Sequence, residues 1–106
     1  MVRELSPAEF AAQRAAGGDA VLLDVREAWE LEIARLEGSV HLPMAEVAER
    51  WSELDPGRAV VVLCRSGVRS LAVARFLEAR GFGSVANLSG GILAWAHDLD
   101  PGLRTY

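Results

Sequence analysis

The sequence has no lysine; its eleven cationic side chains are all arginine. It has one cysteine, Cys64, and two histidines, His41 and His97. Each shortage removes a chemistry. Without lysine there is no Schiff-base nucleophile and no phosphate loop of the kind that ends in lysine. A single thiol excludes an internal disulfide, a C-x-x-C redox pair and a cysteine-rich zinc knuckle. Two histidines outside any H-E-x-x-H setting argue against a catalytic zinc, and no metal or cofactor is expected. The formal net charge of −4 lacks the basic surplus of a nucleic-acid binder, so no nucleic-acid partner is expected. No apolar run is long enough for a membrane span, and no secretory leader is readable, so the expectation is a cytoplasmic protein with a reduced thiol. The 106 residues suit one domain covering positions 1–106. What remains open is single-thiol chemistry.

The pattern along the chain alternates strand and helix. Ser6-Pro7-Ala8-Glu9 has a capping serine, a proline at the first helical position and a glutamate placed to return a bond to the cap; Gly17-Gly18 ends that helix. Residues 20–25 and 59–63 are short apolar runs without alternation, the mark of parallel strands buried on both faces; a weaker run covers 84–88. Between them the spacing predicts a short helix over 27–32, a helix over 45–54 with Val47, Ala48, Trp51 and Leu54 on one face, and a helix over 69–80 burying Ala72, Val73, Phe76 and Leu77. Arg80 and Gly81 suit its C-terminus. A last helix is expected over 92–97. This alternation implies an α/β layered domain with right-handed crossovers.

Cys64 stands where the second strand gives way to the longest helix, at the head of Arg65-Ser66-Gly67-Val68-Arg69-Ser70. In open α/β sheets ligands collect beyond the carboxyl ends of strands. A helix N-terminus there offers unpaired N–H groups and partial positive charge, and Gly67 lets the backbone curl into an anion nest. These terms and two arginines favour a thiolate at Cys64 over a space-filling core thiol. Arg65 is expected to face solvent and substrate. Arg69 either steers an anion or pairs with a carboxylate such as Asp24. Ser66 and Ser70 are read first as helix-start residues, with hydroxyl donation as the second role. Asp24, Arg26 and Glu27 are expected to brace a strand-to-helix turn, His41 to lie on a turn, and Trp29, Trp51 and Trp95 to anchor the core.

These residues resemble those of single-domain rhodaneses. Cys64 to Ser70 is similar to that family's active-site loop, which begins with the catalytic cysteine. Asp24-Val25-Arg26-Glu27 with Trp29-Glu30 resembles its D-V-R-E-x-x-E element, Gly38-Ser39-Val40-His41-Leu42-Pro43 its G-[AS]-x-[NH]-[IL]-P segment, and Gly90-Gly91-Ile92-Leu93-Ala94-Trp95 its terminal G-G-x-x-x-W. Arg35-Leu36-Glu37 departs from the H-I-P often found ahead of the second of these, a difference expected to bear on surface contacts. The resemblance implies a three-layer rhodanese-like fold, with a central parallel five-stranded sheet between helices. It also implies a sulfurtransferase in which Cys64 takes sulfur from an anionic donor such as thiosulfate, holds it as a persulfide, and passes it to a thiophile. Residues 65–70 would bind the donor. With no second cysteine in the chain, the acceptor must be an external thiol or protein, or cyanide in an assay.

Two other readings stay open. One is a sulfur carrier or interaction module without free turnover. The other is a cysteine phosphatase, whose H-C-x-x-x-x-x-R signature needs arginine six positions after cysteine. Here Ser70 holds the sixth position, Arg69 the fifth, and Leu63 precedes Cys64.

Overall fold

Strands too apolar to show a solvent face must sit between two helical layers, and the computed structural model, which describes residues 1–106, has that arrangement. Five parallel strands lie in the order β1 (Arg3–Leu5), β5 (Val85–Leu88), β4 (Val60–Leu63), β2 (Val21–Asp24), β3 (Val40–His41). Central β4 is buried at every residue. Its side chains alternate between two cores. Val60, Val62 and then Cys64 join Leu23, Val73, Ala74 and Leu77 on one face. Val61 and Leu63 join Phe10, Leu22, Leu88 and Ile92 on the other. No helix is long and apolar enough to cross a membrane.

The helices are α1 (Pro7–Ala15), α2 (Ala28–Ile33), α3 (Val47–Arg50), α4 (Val68–Ala79) and α5 (Gly91–Asp98). The α1 start carries the expected reciprocal cap: Glu9 N–H donates to Ser6 Oγ at 3.1 Å and Ser6 N–H to Glu9 Oε1 at 2.9 Å. Four expectations need correction. The helix expected over 45–54 is a chain of short pieces, with 3-10 turns at Met44–Glu46 and Trp51–Glu53 around a single α-turn, and Ala48 is exposed. No side chain caps it, and an uncapped segment this short tightens at both ends. The buried stripe of α4 is Ser70, Val73, Ala74 and Leu77, while Ala72 is exposed and Phe76 half-buried. A polar residue on the inner face disguised that stripe. Trp29 is not a core anchor: it is 57 % exposed. Trp51 and Trp95 do pack, half-buried, edge-on to Phe82 and Phe10. Leu36, in the segment expected to bear on surface contacts, is a core residue at 5 % exposure.

Register places the site. Asp24 pairs with Leu63, so the turns after β2 and β4 emerge side by side at the carboxyl edge. The turn after β5 sits across from them, and α5 begins there with Gly90 and Gly91 both at positive φ. A Cβ on Gly91 would overlap the carbonyl oxygens of Cys64 and Arg65, and its φ of +61° is itself unfavourable for other residues. Gly91→Ala is therefore expected to destabilise the fold by about 3 kcal/mol in urea titration. Gly83→Ala, which meets nothing within 4 Å, should stay within about 0.5 kcal/mol of wild type.

Candidate active site

Cys64 follows β4 directly, and its side chain is fully buried. Gly67, at φ +98°, turns the chain into α4 and donates its N–H to Cys64 Sγ at 3.0 Å. The loop carbonyls face elsewhere. Those of Cys64 and Arg65 accept from Ile92 N–H at 2.9 Å and Leu93 N–H at 3.1 Å, and that of Gly67 accepts from Asn87 Nδ2 at 3.1 Å. The Cys64, Arg65 and Gly67 carbonyls are thus committed to α5 and β5, while the amide of the Ser66–Gly67 peptide points at the sulfur. The first turn of α4 adds N–H groups that have no intrahelical acceptor, so the surroundings favour an anion.

The side chains of residues 65–70 diverge in their surroundings. Ser66 is exposed, and Val68 is 74 % exposed at the loop crest. Arg65 does not reach freely into solvent, as its sequence context suggested. Its guanidinium donates to the main-chain oxygen of Tyr106, through Nε at 2.7 Å and through Nη2, and lies 5.1 Å from the centre of the Tyr106 ring. Arg69 pairs, but with Glu30 and not Asp24: two parallel bonds of 2.8 Å join the guanidinium to both carboxylate oxygens. Asp24 is already taken. Ser70 is not a helix cap; Gly67 holds that position. The Ser70 hydroxyl is buried, 3.2 Å from Cys64 Sγ, and donates to Asn87 Oδ1 at 2.5 Å.

Below the loop, Asp24 and Arg26 form a salt bridge with neither side chain exposed to any degree. Arg26 Nε and Nη2 reach the Asp24 carboxylate, Nη2 also reaches the Ala34 carbonyl at 2.8 Å, and Nη1 reaches the Tyr106 hydroxyl at 3.0 Å. Removing either partner would strand a buried charge, a cost of about 3–5 kcal/mol. Glu27 begins α2, its N–H held by Glu30 Oε2 at 2.8 Å. His41 Nε2 lies 2.6 Å from the Arg26 carbonyl, so it serves this turn and does not reach the thiol. Tyr106 closes the cluster by donating to Glu30 Oε1 at 2.7 Å; burial pushes its phenol up, which keeps that proton in place.

Four residues of this neighbourhood received no role from the sequence: Glu30, Tyr106, Asn87 and Glu4. Glu30 was visible as the last position of the D-V-R-E-x-x-E element. Asn87 was the polar residue set among Val85, Ala86 and Leu88 of that strand run, a signal in itself. Tyr106 and Glu4 are distant in sequence and carried none.

A parallel α/β domain thus holds one thiol at a strand-to-helix loop, with the Gly67 amide turned toward the sulfur. The chain belongs to the rhodanese-like domain family, whose sequence profile matches residues 6–98. It is 38 % identical over 96 residues to a sulfurtransferase of Allochromatium vinosum, covering 91 % of this chain and 90 % of that one. It is 42 % identical over 93 residues to the rhodanese-like/PpiC domain-containing protein 12, chloroplastic, of Arabidopsis thaliana; that match covers 83 % of this chain and 31 % of the longer plant protein. Among solved structures, a rhodanese-related protein from Thermoplasma volcanium superposes with a TM-score of 0.84 at 30 % identity, covering 92 % of this chain and 93 % of the other.

The Arg69 hydrogen bonds hold the Glu30 carboxyl at about 2, against an ordinary value of 4.5, with help from Tyr106. A depressed carboxylate contributes stability that is complete above its unfolded value and is lost as pH falls toward its folded value. The window here runs from about pH 4.5 down to about 2. Because Arg69 is one-third exposed, solvent screening reduces the contribution to about 2 kcal/mol. Urea titrations at pH 5 and 2.5 should show wild type losing about that much more stability than Glu30→Gln over the interval.

Proposed function

We propose that this chain is a rhodanese-type sulfurtransferase with Cys64 as nucleophile and residues 65–70 as the donor-binding loop. The observation that carries the reading is the Gly67 amide on Cys64 Sγ, in a loop whose Cys64, Arg65 and Gly67 carbonyls are bonded elsewhere. In the reaction, the Cys64 thiolate attacks the outer sulfur of thiosulfate. A new S–S bond forms, the donor's S–S bond breaks, and sulfite departs with the bonding electron pair. The persulfide left on Cys64 carries its negative charge on the terminal sulfur, where inward amides and the α4 N-terminus stabilise it. A thiophilic acceptor then attacks that sulfur and regenerates the thiolate. One nucleophile used twice suffices.

An anionic donor is supported by the N-terminus of α4 at the loop and by the Arg65 and Arg69 guanidinium groups held beside it. Thiosulfate, compact and doubly negative, suits that setting better than mercaptopyruvate. Burial of Cys64 favours a donor that offers a protruding terminal sulfur over a bulky one. The phosphatase reading loses support, because Arg69 spends its planar face on Glu30, leaving no bidentate partner for a phosphate ester. A second reading, a carrier loaded by a protein donor, is favoured by one observation: both loop arginines are already engaged, Arg65 by Tyr106 and Arg69 by Glu30.

Incubation with thiosulfate is expected to add the mass of one sulfur atom to the wild type and nothing to Cys64→Ser, read by intact-protein mass spectrometry. Cyanide should then remove that mass and release thiocyanate. An unchanged wild-type mass would reject thiosulfate chemistry. Loading without steady-state turnover would favour the carrier, and faster turnover on mercaptopyruvate would reverse the donor assignment.

A further inference from the structure

A line of polar side chains leaves the buried sulfur on its β5 side and ends at the surface. Cys64 Sγ lies 3.2 Å from Ser70 Oγ, which lies 2.5 Å from Asn87 Oδ1. Asn87 Nδ2 lies 3.1 Å from the Gly67 carbonyl and 3.2 Å from each carboxylate oxygen of Glu4. Glu4 in turn accepts from Ser89 Oγ at 2.7 Å. Ser70 is wholly buried and Asn87 is 3 % exposed. Polar groups are costly at such positions unless each is bonded, and here each is.

The chemistry of the partners fixes which way the network points. The Gly67 carbonyl and the Glu4 carboxylate can only accept, so the amide edge facing them is the NH₂. Oδ1 therefore faces Ser70. A serine hydroxyl has one proton, and beside Oδ1 that proton goes to Asn87, leaving an Oγ lone pair toward the thiol hydrogen of Cys64. Once the sulfur is a thiolate or persulfide it too only accepts. Ser70 then has two acceptors and one proton, and the strength with which Asn87 holds that proton sets what the sulfur receives. Asn87 also ties down the carbonyl of Gly67, the residue whose amide meets Sγ.

We propose that Asn87, with its amide oriented by Glu4, is a positioning residue for the sulfur-loading step, acting on Cys64 through Ser70 and Gly67. This rests on the reading of Cys64 as the sulfur nucleophile. Asn87→Asp replaces the NH₂ donor with an acceptor, which sets it against Glu4 and leaves the Gly67 carbonyl without its partner. Its rate constant for sulfur uptake from saturating thiosulfate should fall about tenfold, with the half-saturating concentration changed by less than about twofold. Glu4→Gln keeps an acceptor oxygen for Asn87 and should slow uptake by less than about threefold. In the double variant the amide introduced at position 4 can donate to the carboxylate introduced at position 87, so uptake should recover part of the loss, the Gly67 carbonyl still lacking its donor.

The test is single-turnover uptake followed by mass spectrometry, with thermal melts of every variant. A fall in the uptake rate constant that the second substitution restores in part supports the proposal. Uptake by Asn87→Asp at the wild-type rate, or a lowered melting temperature with unaltered uptake, overturns it. So does a double variant no faster than Asn87→Asp. If Asn87→Asp does not fold, Ser70→Ala carries the test: slower uptake at an unchanged half-saturating concentration supports the relay, and wild-type uptake overturns it. A wild-type chain that accepts no sulfur rejects the nucleophile reading, and this proposal with it.

Discussion

The carbonyls of Cys64 and Arg65 can face outward only because α5 arrives with two N–H groups to receive them and no side chain in the way. Gly91 supplies that clearance, and it and Gly90 both hold a left-handed conformation that other residues adopt at a cost. A peptide group has a donor on one side and an acceptor on the other, so drawing these two acceptors toward α5 turns the N–H groups of Arg65 and Ser66 to the opposite side. The path of the loop past the sulfur thus depends on a helix that begins only at Gly91, with all of α4 and β5 in between. The loop sequence alone does not create it. The same contact ties the turn after β4 to the helix after β5.

A second constraint lies beneath the loop. Arg26 is buried without exposure, yet its donors are distributed among Asp24, Ala34 and Tyr106. Such a group is tolerated only where every bond is made. It therefore dictates the path of the chain after β2, the end of α2 and the resting place of the C-terminal segment together. Glu30 extends the arrangement to Arg69 and so to α4. Arg65, which sequence reasoning placed toward substrate, and Arg69, for which it left steering and carboxylate pairing open, are both drawn into this scaffold. Their charge remains near the sulfur while their hydrogen-bonding capacity is directed elsewhere.

What could be read from the sequence follows a physical division. The buried strands β2 and β4, the capped α1 and the thiol at the strand-to-helix junction are local features, written in contiguous residues. Strands β1 and β3 were not legible from their own residues. They are three and two residues long and sit at the sheet edges, too short for any pattern to register. The resemblance to rhodaneses supplied the five-stranded sheet that periodicity did not. Partner choice was legible in kind and not in identity. Arg69 does meet a carboxylate, but Asp24 had a nearer arginine two residues away, and only the folded geometry shows that. Tyr106 could not be anticipated, because nothing local connects position 106 with positions 26, 30 and 65.

The alternation of β4 carries one more implication. Val60, Val62 and Cys64 share a face, so the hydrophobic core fixes the direction of the sulfur along with the strand. Errors of register come only in whole residues, and a slip by one would turn the thiol toward Phe10 and Ile92, away from the Gly67 amide. That same slip would drive Val60 and Val62 out of their core. Misplacement of the thiol and loss of the native core are thus one event, and an intact fold is its own quality control for the aim of the sulfur.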